Sequence, residues 1–313
     1  MPNKLLISTI CSGAFLLTAC GGGGNNNQTS FDSKEKLDYT KKENIGLINE
    51  PVVAISNEHD NPVIDIITIA QELHYLISNQ DSSSYTASCQ SGSTTLNKDG
   101  SVTLNNCKNL TIYSNTGSHS VFGQDEVVIA SGTIQAKLTR TTTLKKTDLT
   151  LVNFSIDLAD ETALVNGKLS STSTSINSDN YQDLFEANQF TYKHLDKLDK
   201  TNNLQYILNN YSLASNNSIS KGNIDSKAKG ELTGEVKAKA FSVNFNSNFA
   251  FNNAKDLENM KPSQAKLNIE DINNKQNSIV ITQTINGQAL INAYANNHTV
   301  TGFPQTIDWI KFY

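Results

Sequence analysis

Phe241-Ser242-Val243-Asn244-Phe245-Asn246-Ser247-Asn248-Phe249-Ala250-Phe251 decides the fold class. Phe241, Val243, Phe245, Phe249 and Phe251 alternate with Ser242, Asn244, Asn246 and Asn248. A period of two, with aromatic and β-branched side chains on one side, marks a strand with one buried and one wet face, as in antiparallel sheets. Just upstream the phase is opposite: Leu232, Val236 and Ala238 are apolar against Glu231, Thr233, Glu235 and Lys237. The flip at Ala240-Phe241 predicts a bulge or a strand that changes sheets. The same period runs through Val128, Ala130, Ile134, Ala136 and Leu138, and a second flip falls at Leu151-Val152, before Phe154, Ile156 and Leu158.

Turn signals punctuate these strands. Asn166-Gly167 and Asn286-Gly287 read as hairpin turns. The second sets Ile281 against Ile291 and Ile279 against Ala293. Phe190-Tyr192-His194 can pair with Leu204-Tyr206-Leu208 across Lys200-Thr201-Asn202. One helix is expected at about 61–78: Asp60 or Asn61 caps it, Pro62 suits its first turn, and Val63, Ile66, Ile67, Ala70, Leu73, His74 and Ile77 form one face. Short helices are expected near Asp179–Ala187 and Lys255–Asn259. The expected fold is mainly β: one N-terminal helix followed by a long antiparallel meander, curled as a barrel, half-barrel or sandwich.

Composition narrows the function. Among 313 residues Asn, Ser and Thr number 40, 32 and 29, the net charge is −5, and Arg140 is the single Arg. Net acidity and a single Arg argue against a nucleic-acid surface, which concentrates positive charge on phosphate. After the first 20 residues no apolar run reaches the roughly 20 residues of a membrane helix.

The N-terminus is different. Lys4 precedes the apolar stretch Leu5 to Leu17, which ends in Leu17-Thr18-Ala19-Cys20. This resembles the lipobox of bacterial lipoproteins. The resemblance implies removal of residues 1–19 and lipidation of Cys20, and Gly21-Gly22 after it favours the outer membrane by family analogy. Two or more acyl chains on one Cys suffice for stable anchoring. Residues 20–46, rich in Gly, Asn, Lys and Glu, read as a lipidated Cys plus flexible tether with a reach of about 25–30 Å. Residues 47–313 then form a single β-rich domain.

Cys89 and Cys107 remain in an exported, oxidising compartment and read as a disulfide. Lys98-Asp99-Gly100 forms a hairpin loop between them, pairing Leu96 with Val102 and Thr94 with Leu104. That leaves the cysteines two residues out of opposition, so a bulge or longer loop is expected. No nearby His or second Cys pair completes a metal site.

Chemistry is sparse. Glu58-His59-Asp60 could ligate a metal, but acidic residues belong at a helix start. His74 and His194 alternate with core residues, while His119 and His298 fall in expected loops. Ser218-Ile219-Ser220-Lys221 and Ser178-Asp179-Asn180 match motifs of penicillin-binding enzymes, yet their order is reversed and Lys-Thr-Gly is missing. No cofactor and no enzyme activity are expected.

The last residues, Ser278 to Ala293 with Trp309 near the end, resemble the C-terminal hairpin and closing Trp of uncharacterised β-rich lipoproteins of gammaproteobacteria. That resemblance brings no function. The reading is therefore a non-enzymatic binding or structural module on the outer membrane, with lipid or an envelope protein as candidate partner. The alternative is a periplasmic carrier of lipid or another apolar ligand, similar in element order to half-barrel lipoprotein carriers. Ile66, Ile67, Leu73, Phe241, Val243, Phe245, Phe249 and Phe251 would then line its cavity.

Overall fold

The computed structural model describes residues 31, 34–79, 85–114, 117–122, 127–253, 255–256 and 259–312. Cys20 and the signal region lie outside them. Two helices, α1 (Lys42–Ala54) and α2 (Pro62–Ser78), precede the sheet. The main sheet takes β3 (Ser91–Leu96), β4 (Val102–Lys108), β7 (Ile129–Arg140), β8 (Leu144–Asp157), β9 (Glu161–Ser175), β10 (Asn180–Asp196), β11 (Leu204–Ser218), β12 (Asn223–Val236), β13 (Lys239–Phe251), β14 (Gln264–Asp271), β15 (Ser278–Gln283), β16 (Ala289–Ala295) and β17 (His298–Thr299) in chain order. Each pairs antiparallel with the next, so the meander is as expected. Short strand β1 (Glu35–Lys36) joins β13 in parallel, and β18 (Gln305–Ile307) joins β16. A small second sheet holds β2 (Tyr85–Ser88), β5 (Thr111–Ser114) and β6 (Gly117–Ser120). Among the described residues no pairing joins β3 to β17, so the sheet is open rather than a closed barrel.

The sheet bends along a line of bulges. Asn106, Asn153, Gln189 and Asn210 all have positive φ, in β4, β8, β10 and β11. Register shifts accompany them, for example between Leu151 and Phe154 and between Asn209 and Ser212. At three of the four, a side chain of an adjacent strand accepts from the bulge N–H. Asn166 Oδ1 accepts from the Asn153 N–H at 2.6 Å, Asn209 Oδ1 from Gln189 at 3.1 Å, and Ser131 Oγ from Asn106 at 3.2 Å. A glycine beside two of these acceptors lets the bulge on the far side approach. A Cβ on Gly132 (φ +105) would lie 2.3 Å from Asn153 O, and one on Gly167 (φ +126) 2.5 Å from Gln189 O. Asn106, Asn153, Asn166, Asn209, Asn210 and Ser131 build this crease, and bulges intensify twist and bend the strands.

The crease lets the sheet wrap the helices. One face of α2 (Val63, Ile66, Ile67, Ala70, Leu73 and Ile77) is buried against β3, β4, β7, β8 and β9. Asn61, not Asp60, caps it, accepting from Val63 N at 3.0 Å. The α1–α2 connection is pinned to the other half of the sheet: Tyr211 Oη donates to Ile55 O at 2.9 Å, and Ser247 Oγ to Ser56 O at 3.0 Å. A single hydrophobic core runs from Leu37 to Phe312.

Several expectations need correction. Packed structure begins before residue 47, inside the segment expected as tether: Leu37 and Tyr39 are buried, and α1 was not anticipated. Gly46 and Pro51 inside α1 are poor helix residues, so burial of Ile45, Ile48, Val52 and Val53 has to hold it. Asn166-Gly167 is not a turn but lies inside β9, where the same φ freedom serves the crease. The flip at Ala240-Phe241 is neither a bulge nor a sheet change. Lys237 and Ala238, both with positive φ, make a two-residue hairpin turn, and reversing the chain resets the phase. The helix expected near Asp179–Ala187 is the start of β10, whereas Asn259 N–H to Lys255 O closes one helical turn as expected. His119 and His298 fall in β6 and β17 rather than in loops.

Other expectations match. Leu96 faces Val102 and Thr94 faces Leu104, and a register shift between Ser91 and Ser93 helps bring Cys89 and Cys107 into a disulfide with Cα atoms 5.2 Å apart. Ile281 faces Ile291, and the flip at Leu151-Val152 is a bulge. Trp309 sits in a closing 3-10 turn (Trp309–Phe312), edge-on to Phe249 at 5.6 Å, with its indole N–H donated to Gln283.

Candidate functional site

A cleft opens where α1 and α2 meet the ends of β8 to β12. Its volume is about 120 Å³, below the roughly 300–1,000 Å³ of drug-sized ligand sites. The helical wall carries Glu50 and Pro51 of α1 with Asp65, Ile66 and Ile69 of α2; the sheet wall carries Tyr192, His194, Leu204 and Tyr206. Asp60, Asn202 and Lys237 complete the polar part.

The sheet wall follows from register. Phe190 faces Leu208, Tyr192 faces Tyr206 and His194 faces Leu204, the pairing expected across the Lys200–Asn202 turn. Period two points this row inward. The Tyr192 and Tyr206 rings stack at 5.1 Å, and Phe190 extends the row 6.4 Å from Tyr192. His194 Nε2 lies 2.8 Å from Glu161 Oε2 of β9, so its imidazole is engaged within the wall.

Asp65 sits in the first turn of α2, where the helix dipole favours an anion. Burial nevertheless dominates. Together with repulsion from Asp60 it pushes the Asp65 carboxyl up to about 6. Glu50 is also raised by burial, with Lys237 pulling the other way. Tyr206 is 1% exposed, and its hydroxyl finds no hydrogen-bond partner; burial drives its pKa well above the ordinary value. Asn202 Oδ1 is likewise buried without a donor. Buried polar groups in native proteins are satisfied in the great majority, so the unmatched Tyr206 and Asn202 oxygens stand out among the residues lining this cleft.

The other candidates separate. Ile66, Ile67, Leu73, Phe241, Val243, Phe245, Phe249 and Phe251 are each at most 4% exposed and pack together in the core; of the eight, only Ile66 borders the cleft. The curled sheet is filled by helices, so these side chains do not surround a lipid-sized cavity. Glu58-His59-Asp60 disperses: Asp60 lines the cleft, His59 Nδ1 lies 3.1 Å from Asp60, and Glu58 turns into a different pocket. His74 is half-buried, with Nε2 2.9 Å from Gly100 O. The two penicillin-binding-like motifs do meet, but as a polar cap between turns. Asp179 accepts from Ser220 Oγ at 2.8 Å, from Ser220 N at 2.6 Å and from Ser218 Oγ at 3.0 Å, and these hydrogen bonds hold its exposed carboxyl below the usual range.

The sequence pattern placed Tyr206 in the right pair without marking it as a cleft residue, and Asp65 was passed over. A carboxylate one position before Ile66 and four before Ile69 was the available signal. No protein-family model matches the chain, and neither a curated protein nor a solved structure does.

Proposed function

We propose that the protein is an envelope lipoprotein whose β domain is a non-enzymatic binding module. Cys20 carries the lipid anchor in the outer membrane, and the residues between Cys20 and β1 serve as its tether. The cleft takes a small ligand with an apolar body and a hydrogen-bonding, positively charged head such as an alkylammonium ion. Tyr206 carries this reading: it lines the cleft, its hydroxyl is buried without a partner, and the same cleft holds Asp65, a carboxylate kept in place against its own desolvation. The lipid-carrier alternative has less support, since the faces it needs as cavity lining are packed on α1 and α2.

Two measurements test the proposal. Mass spectrometry of the N-terminal peptide from a Gram-negative host is expected to show a diacylglyceryl-modified Cys20, and Cys20→Ala to release the protein from the membrane fraction. Short alkylammonium ions are expected to raise Tm at pH 7.5, and matched carboxylates to leave it unchanged. An unmodified Cys20 refutes the anchor; an equal response to amines and carboxylates refutes the head-group assignment.

A further inference from the structure

Glu58 lies in the α1–α2 connection and points away from the cleft, toward the inner face of β10, β11 and β12. That face is polar at this end. Asp183 of β10 faces Ser215 of β11, and Ser215 faces Ser226 of β12. Asn217 follows two residues along β11, on the same face. Ser215 and Ser226 are 0% exposed and Asn217 is 5% exposed. The Asn217 amide donates Nδ2–H to Asp183 Oδ2 at 3.2 Å, which fixes its orientation and turns Oδ1 away without a donor. Glu58 Oε1, Ser215 Oγ and Ser226 Oγ are also buried with no well-formed hydrogen bond, although the Ser215 hydroxyl and the Asn217 amide lie close enough to act on the Glu58 carboxyl.

The cluster is thus made of oxygens. Two carboxylates contribute, and among the described residues neither enters an ion pair with Lys, Arg or His. Burial raises both, and Asp183 adds repulsion at Glu58, partly offset by the Ser215 and Asn217 dipoles. Buried charges in proteins are paired or bound to metal. Hydroxyls and an amide oxygen cannot neutralise two carboxylates; a proton can neutralise one of them, and a divalent cation both.

We propose that Glu58, Asp183, Ser215 and Asn217 form a binding site for a hard divalent cation, with calcium the preferred ion. The charge of two carboxylates matches a divalent ion. Carboxylate, amide and hydroxyl oxygens are the ligands calcium takes, six to eight in flexible geometry, whereas magnesium retains water and zinc seeks nitrogen or sulfur. Only two acidic groups contribute, so neutral oxygens and water complete the shell. That places the affinity in the weaker range of extracellular calcium modules, with Kd on the order of 0.1–1 mM. The ion would tie the helix connection to the sheet, independently of the cleft.

The mature protein, stripped with a chelator, is titrated with calcium chloride while Tm and heat of binding are followed. Calcium is expected to raise Tm by several degrees with saturation, and magnesium at equal concentration to do less. Glu58→Gln is expected to fold, to be more stable than the parent in chelator, and to weaken calcium binding at least tenfold. Asp183→Asn gives a second variant with the same expected loss. No saturable heat and no Tm change at about 10 mM calcium overturns the proposal and leaves an ordered water in the pocket. Saturable calcium binding that survives both substitutions also overturns it, because the ion then sits elsewhere.

Discussion

Replacing Asp65 by Asn is predicted to stabilise the protein at neutral pH and to leave it unchanged in acid. The carboxyl is pushed from 3.8 to about 6 by burial first and Asp60 second. Below the unfolded value the group is neutral in both states and costs nothing. As pH rises through about 6, the folded protein must ionise a carboxyl it disfavours, and the loss becomes complete. A gap of about two pH units corresponds to about 3 kcal/mol; since part of the carboxyl still reaches water, about 2–3 kcal/mol is the working figure. For a domain of this size that is about 5 °C in Tm. Thermal unfolding of parent and Asp65→Asn between pH 4 and 8 measures it: the curves should converge near pH 4 and separate through pH 6, with the variant higher. A difference independent of pH, or a less stable variant at pH 7.5, would refute the reasoning. A carboxylate kept at such a cost fits a ligand-binding role better than a packing one.

Further predictions concern the cleft, the crease and the cross-link. Tyr206→Phe removes a buried hydroxyl that has no partner, so the unliganded protein should gain about 1–2 kcal/mol in urea unfolding while the response to alkylammonium ions is lost. Gly132→Ala forces a Cβ to within 2.3 Å of the Asn153 carbonyl at a φ that L-residues avoid; a loss of about 3 kcal/mol or more is expected by chemical denaturation. Cys89→Ser with Cys107→Ser opens a link of sequence separation 18 and should cost about 3 kcal/mol, matched by adding reductant to the parent.

The sequence made the strands legible because period two is a short-range signal, and hairpin pairs such as Tyr192 with Tyr206 follow from turn position alone. The α2 face was legible for the same reason at helical spacing. The crease was not, because its parts are far apart in sequence. Asn166 satisfies Asn153 while Gly167 admits Gln189, and locally Asn-Gly looks like a turn. Helix α1 was hidden by Gly46 and Pro51, whose cost is met by tertiary burial rather than local propensity. The cleft combines five strands and two helices, and its key property, a hydroxyl with no partner, does not exist in one dimension.

The creased sheet packs on its own helices, so that the Phe241–Phe251 face is filled core rather than the wall of a lipid cavity. Native mass spectrometry of the soluble domain, Cys20→Ala, secreted to a bacterial periplasm and kept free of detergent, tests this most directly. The mass of the bare polypeptide with an intact disulfide, alone or with a small cationic adduct, is the predicted result. A stoichiometric adduct of phospholipid or fatty-acid mass would contradict it, because Phe241, Phe245 and Phe249 are buried in the core and would have to part to hold that molecule.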